Sequence, residues 1–191
     1  MRAARAASGA AASALRERET RGADPRAGAK GRARHNMLRI KVISMGDAST
    51  GKSCLIKRYC EEKFVSRYIG TIGVDYGVKA MKLGEVDMRV NLWDLAGGDE
   101  FLEVRNEFYK DAQGALLVFD CSNRASFDAL EGWLDERQRY GGDRATVVVA
   151  ANKVDLTKRQ VSEREGRAWA ERNGFLYFEV SAATGEGGEQ G

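Results

Sequence analysis

Histidine, proline and cysteine are almost missing from this sequence, and each scarcity removes a class of chemistry. The single histidine, His35, falls in an unpatterned opening segment and is given no role. Cys54, Cys60 and Cys121 form an odd set without metal-ligand spacing, so neither a zinc site nor a disulfide framework is expected. They read as reduced, small apolar side chains of a cytoplasmic protein. Without a run of about 18 apolar residues, the chain is not expected to be an integral membrane protein. With no cysteine near the end of the sequence, a prenyl anchor is not expected in this chain either.

Positive charge is scarce where a nucleic-acid surface would need it. The formal net charge is +3, yet residues 1–36 carry nine Lys and Arg against three Asp and Glu. The remainder carries 22 against 25 and is net acidic. Because the basic excess sits on a segment with few large apolar residues, nucleic-acid binding is not expected. That segment, rich in Ala, Arg and Gly and holding the only proline, Pro25, is expected to be a disordered tail. Its Arg-rich, acid-poor opening also fits a transit peptide, with an untargeted tail or a start at Met37 as the alternatives. Residues 37–186 then form one domain, and 187–191 a short polar end.

Short apolar runs alternate with amphipathic stretches from residue 38 onward, as in βα units around a mostly parallel sheet. Strands are predicted at 40–45, 87–93, 115–120, 146–151 and 176–180. A more alternating run at 73–83 is predicted as an antiparallel edge strand beside 87–93. Helices are predicted at 52–62, 100–110, 126–140 and 162–173. The expected fold class is α/β, three layers around a mostly parallel sheet.

Residues 46–53, GDASTGKS, match G-x-x-x-x-G-K-[ST] between a strand and a helix. Phosphate oxygens crowd a backbone, so Gly46 and Gly51 supply a tight loop whose N–H groups point inward at a helix start. Lys52 meets the β- and γ-phosphates. Ser53 offers its hydroxyl to Mg²⁺, a hard cation that takes oxygen ligands. Asp94, at the carboxyl end of strand 87–93 and opening Asp-Leu-Ala-Gly97, is expected as a water-mediated Mg²⁺ ligand. Asn152, Lys153 and Asp155 follow one strand and Ser181 and Ala182 the next, so both loops open on the same sheet edge. A carboxylate at Asp155 accepts two hydrogen bonds from the guanine N1–H and N2–H₂, whereas adenine offers neither. A site built on such a pairing rejects an analogue lacking it by roughly 10⁴–10⁵-fold.

The order of these motifs resembles the Ras superfamily, and within it the Rab-like branch. Residues 71–76, TIGVDY, resemble switch I and the strand after it, and Trp93 with Tyr76 and Phe108 resembles the aromatic triad that meets effectors. Residues 103–111 and 174–179 are similar to Rab-related proteins that often carry a C-terminal J domain. The resemblance spans about residues 38–186. It implies that Thr71 binds Mg²⁺ and feels the γ-phosphate, that Gly97 is the switch II backbone donor, and that loss of the γ-phosphate releases both loops. It also implies that Phe64 packs across the guanine ring, Lys153 along the base, and that the Ala182 N–H meets the guanine oxygen. The implied nucleotide-binding set is Gly46, Asp47, Ala48, Ser49, Thr50, Gly51, Lys52, Ser53, Cys54, Phe64, Asn152, Lys153, Asp155, Ser181, Ala182 and Ala183. Lys52, Thr71, Gly97 and Gly98 form the catalytic set. The implied partners are exchange factors, activating factors and effectors, acting on a monomer.

Three departures stand out. Gly98 takes the place of the Gln that orients the attacking water, and since intrinsic Ras hydrolysis is already only about 10⁻⁴ s⁻¹, hydrolysis is expected to be slower still. Asp99 or Glu100 could stand in, but a carboxylate beside the γ-phosphate adds like charge. Ala183 replaces the usual Lys after Ser-Ala, so nucleotide is expected to be held more loosely. The family's final helix and J domain have no counterpart in the residues present, and a bare sheet face would expose apolar area at roughly 25 cal/mol per Å².

Overall fold

Strands dense in Val, Ile and Leu need cover on both faces, and the architecture supplies it. The computed structural model describes residues 3, 5–7, 9, 37–67 and 69–187. Among them one six-stranded sheet is built from β1 Leu38–Met45, β2 Val74–Leu83, β3 Val86–Leu95, β4 Gly114–Asp120, β5 Thr146–Asn152 and β6 Leu176–Glu179, in the order β2-β3-β1-β4-β5-β6. Only β2 and β3 pair antiparallel, as the alternation in 73–83 predicts. All seven residues of β4 are buried. Leu117 and Phe119 point to one layer and Leu116 and Val118 to the other, each within its own apolar cluster.

The parallel register carries the chemistry to one rim. Ser44 pairs with Asp94 across β1 and β3, and Asp120 with Asn152 across β4 and β5. Chain polarity therefore brings the residues after β1, β3, β4 and β5 to the same edge.

Helices α1 Lys52–Glu61, α2 Leu102–Arg105, α3 Arg124–Asp128, α4 Leu130–Arg139 and α5 Glu163–Arg172 flank the sheet. Ser162 caps α5 by accepting the Glu165 N–H at 3.2 Å. Two predicted helices differ. The stretch 100–110 divides into the 3-10 turn Asp99–Phe101, α2 and the 3-10 turn Asn106–Phe108. Only Arg105 and Tyr109 are buried there, too thin a face to stabilise a longer helix. The stretch 126–140 starts two residues early and breaks at Ala129. On a straight helix Phe127 and Trp133 would point about 120° apart; the break lets both join one cluster.

The opening segment also needs a correction, limited to its described residues. Positions 3, 5–7 and 9 are helical, not disordered, and Ala3 and Ala7 are buried in the cluster of Ile40, Val42, Val90 and Val148. Alanine has the highest helix propensity and its small side chain lets a helix lie close to a sheet. The face expected to be bare is thus met by α1 and by these alanines. The rest of the predicted tail, and residues 188–191 of the polar end, lie outside the described residues.

Candidate functional site

The loop between β1 and α1 turns through left-handed backbone at Gly46 (φ +132°) and Gly51 (φ +91°). A Cβ at Gly46 would collide with the Val118 carbonyl, and one at Gly51 with the Asn152 amide. Thr50 donates its hydroxyl to the Asp47 carbonyl at 2.9 Å and tightens the loop from within. Lys52, 5% exposed, crosses back over the loop and donates to the carbonyls of Gly46 at 2.7 Å and Asp47 at 2.8 Å. Burial lowers its pKa to about 8, against the opposing pull of Asp94 and Asp47.

Beside the ammonium three oxygen groups converge from three elements. Ser53 Oγ lies 2.8 Å from Thr71 Oγ1, which donates to Asp94 Oδ2 at 3.2 Å. Ser44 orients the carboxylate by donating to Asp94 Oδ1 at 2.8 Å. All of these donors are hard oxygens, which fits Mg²⁺. Among the described residues no group of three or more His, Cys, Asp or Glu could hold a metal. A cation here would have to complete its shell with water and ligand oxygens, as Mg²⁺ commonly does.

At the other end of the rim, Ser181 donates to Asp155 Oδ1 at 2.5 Å, and Lys153 forms an ion pair with Asp120 Oδ2 at 2.6 Å. Asn152 is buried and uses its amide in both directions: Nδ2 donates to the Thr50 carbonyl at 2.8 Å and Oδ1 accepts the Ala182 N–H at 3.1 Å. The N–H expected to meet the guanine oxygen is therefore engaged within the protein, because a buried amide must be satisfied. The loop holding Ala183 has a clamp of its own. Arg58 Nη2 donates to the Ala183 carbonyl at 2.8 Å and Arg58 Nε to the Ala182 carbonyl.

These parts enclose a cleft of about 480 Å³, within the range of small-ligand sites. Lys52, Ser53 and Thr71 line one end and Asn152, Lys153 and Asp155 the other. Ala48, Ser49, Gly51, Cys54, Phe64, Gly97, Gly98, Ala182 and Ala183 also line it. Gly46, Asp47, Thr50, Asp94 and Ser181 are not among its lining residues. Gly97 packs onto the loop so closely that a Cβ there would lie 2.7 Å from the Gly46 carbonyl oxygen. At Gly98 the room a side chain would take is filled by Glu100, whose carboxyl carbon would be 2.6 Å from a Cβ. Away from the cleft, Trp93 packs between Tyr76 and Phe108, tilted against both, with ring centroids 4.6 and 4.9 Å apart.

Sequence reasoning missed Ser44, Arg58, Arg105, Asp120 and Trp133. Ser44, Arg58, Asp120 and Trp133 each act on a site residue over long sequence separation, and Arg105, inside the stretch 103–111, acts on the carbonyls of Ala96 and Gly98.

The Ras family profile matches residues 41–190. The chain belongs to the Ras family. Its domain is that of a small GTPase switch, with the mostly parallel sheet and antiparallel edge of that fold. The chain is 57% identical over 156 residues to DnaJ homolog subfamily C member 27 of Gallus gallus, covering 78% of this chain and 57% of the relative. It is 55% identical over 164 residues to the Danio rerio protein of that name, covering 83% and 60%. The Homo sapiens protein is 57% identical over 156 residues, with 78% and 57% covered. The Ras-family chain thus spans somewhat under two thirds of these relatives' length. Their name agrees with the resemblance to Rab-related proteins that often carry a J domain. Ras-family GTPases bind GTP and GDP, typically with Mg²⁺, and generally meet exchange factors, activating proteins and effectors. No described helix is long and apolar enough to cross a membrane.

Proposed function

We propose that this chain binds GTP and GDP with Mg²⁺ in the cleft between Lys52 and Asp155, acts as a Rab-like switch, and hydrolyses GTP slowly. The observation that carries the reading is the meeting of two separate recognition sets in one cleft. At one end stand Lys52 and the hydroxyls of Ser53 and Thr71, with the Asp94 carboxylate bonded to Thr71; at the other stands Asp155, oriented by Ser181.

Each residue then has a physical task. Backbone N–H groups of 46–53 and the Lys52 ammonium hold phosphate oxygens at the start of α1. Lys52 now donates to loop carbonyls and would exchange them for the stronger charge-assisted bond to phosphate. Ser53, Thr71 and, through water, Asp94 would hold Mg²⁺, which would supply charge neutralisation to the phosphates. Thr71 and Gly97 belong to the two switch segments, so contacts to a γ-phosphate would order both. Asp155 reads the guanine N1–H and N2–H₂. Lys153, held by Asp120, lays its stem along the base, and Phe64 lines the same end. Effectors would meet the aromatic group of exposed Tyr76 and half-buried Trp93 and Phe108, and exchange and activating factors the switches.

A second reading is favoured by one observation: Gly98 has no side chain to orient water, and the acidic Glu100 occupies the room. On that reading the protein is a GTP-bound interaction module whose turnover comes from exchange.

Titration calorimetry of the purified chain with GDP, GTP and ATP in magnesium buffer tests the first reading. It predicts heat with both guanine nucleotides and none with ATP. Binding of ATP as tight as GTP would remove the role given to Asp155. Single-turnover hydrolysis separates the switch from the module.

A further inference from the structure

Arg105 is a charged side chain in the protein interior, 2% exposed. Every arm of its guanidinium is engaged. Nε and Nη2 donate to the two Glu136 oxygens at 2.6 and 2.7 Å, and Nη1 donates to the Ala96 carbonyl at 3.3 Å and to the Gly98 carbonyl. The guanidinium lies over the Trp133 ring at 4.5 Å, and Tyr109 donates its hydroxyl to Glu136 Oε1 at 2.6 Å. A buried ion pair of this kind adds little stability over apolar residues of the same volume. What it does supply is a fixed direction.

The two carbonyls that Nη1 holds flank Gly97. A peptide unit is planar, and no described bond is cis, so the Ala96 C=O and the Gly97 N–H lie in one plane and point opposite ways. Turning the Ala96 oxygen toward Arg105 therefore turns the Gly97 N–H away from α4. The other side of Ala96 is fixed as well, its N–H donating to the Gly73 carbonyl at 2.9 Å. Gly97 itself is packed onto the loop at Gly46, Asp47 and Ala48. The ring under the guanidinium is tied to that loop too, since Trp133 Nε1 donates to Asp47 Oδ1 at 2.7 Å. One buried cation thus sets switch II against the wall of the cleft.

We infer that Arg105 is a positioning residue that fixes the direction of the Gly97 N–H and thereby sets how strongly the cleft prefers a guanosine triphosphate over the diphosphate. This rests on the reading of the cleft as a GTP and GDP site with Gly97 facing the γ-phosphate. Arg105 contacts no nucleotide atom in this account; its effect passes through one peptide plane. The consequence is specific, because the diphosphate has no group for that N–H to meet.

The test compares affinities of the full chain for fluorescent GDP and for a fluorescent, slowly hydrolysed GTP analogue in magnesium buffer. Arg105→Ala is expected to weaken the triphosphate analogue about tenfold or more, the loss of an aligned donor to a charged oxygen. GDP should stay within about twofold of wild type, since the phosphate-loop contacts remain. Arg105→Lys, able to reach one carbonyl with one donor, should fall between. If both nucleotides weaken by the same factor, or neither does, the residue is only structural and the inference is overturned. Should Arg105→Ala fail to fold, Glu136→Gln gives the same comparison with side-chain size kept: a triphosphate-selective loss supports the inference and an unchanged ratio overturns it. Wild-type protein that binds neither nucleotide overturns the site reading and this inference together.

Discussion

Trp133 donates its indole N–H to the carboxylate of Asp47 at 2.7 Å, joining α4 to the phosphate loop across 86 residues of sequence. The contact turns the side chain of Asp47, part of a motif read as ligand-facing, away from the cleft and makes it a brace for the loop. Trp133→Phe keeps most of the ring and removes the donor. A bond of this type is worth about 1 kcal/mol when partly solvated, so the thermal midpoint should drop by roughly 2–4 °C. Scanning calorimetry of the two proteins checks it, and an unchanged midpoint would mean the bond is not populated in solution.

Asp155 should decide which base is bound. Asp155→Asn places an N–H₂ group where guanine also presents N–H donors, and that mismatch is expected to cost a hundredfold or more in GDP affinity, on the scale of roughly 10⁴–10⁵ for sites built on polar partners. Xanthosine diphosphate, with a carbonyl at C2, should bind the variant better than GDP. Equilibrium competition between the two nucleotides measures this directly.

Gly98 and Glu100 make a paired prediction. Gly98→Gln supplies a water-orienting amide but must share space with the Glu100 carboxylate. Restoring the amide should raise single-turnover hydrolysis about tenfold by orienting the attacking water. Adding Glu100→Ala should raise it further by removing both the crowding and the like charge. A double variant slower than Gly98→Gln alone would show that Glu100 aids the reaction.

Arg58 takes over the bracing duty of the Lys that Ala183 replaces. Its clamp on the Ala182 and Ala183 carbonyls braces the base-end loop at the position where a Lys was expected. Arg58→Ala should speed GDP release about fivefold to tenfold, the loss of about 1–1.5 kcal/mol from charge-assisted bonds. Stopped-flow release of fluorescent GDP reads the rate.

Chelation gives the simplest check on Ser53, Thr71 and Asp94. Excess EDTA should accelerate nucleotide release by an order of magnitude or more, since uncompensated phosphate charge would then face Asp94. Release that ignores EDTA would argue against a metal at these oxygens.

The sheet and most of the cleft are legible in the sequence because strands buried on both faces leave unbroken apolar runs, and because phosphate loops need glycine at fixed spacing. Residues 40–45, 115–120 and 146–151 are such runs, and their carboxyl ends mark the rim. Arg105 hid because a lone arginine in a mixed stretch looks like surface; only the fold brings Glu136 and two carbonyls around it. Ser44 hid inside an apolar strand, and Asp120 at the end of one. The break in 100–110 was illegible because helix propensity there is adequate while the buried face is too narrow. Ala3 and Ala7 belong to a stretch whose composition reads as disordered, and their burial depends on a surface formed elsewhere in the chain.

Asn152 holds Thr50 with one hand of its amide and Ala182 with the other. Half-ligands should therefore report on each other. Guanosine occupying its own end would stiffen the stretch that greets pyrophosphate, so pyrophosphate added second would bind more tightly than when added alone. The intact nucleotide would then outbind the sum of its pieces by more than linkage alone supplies.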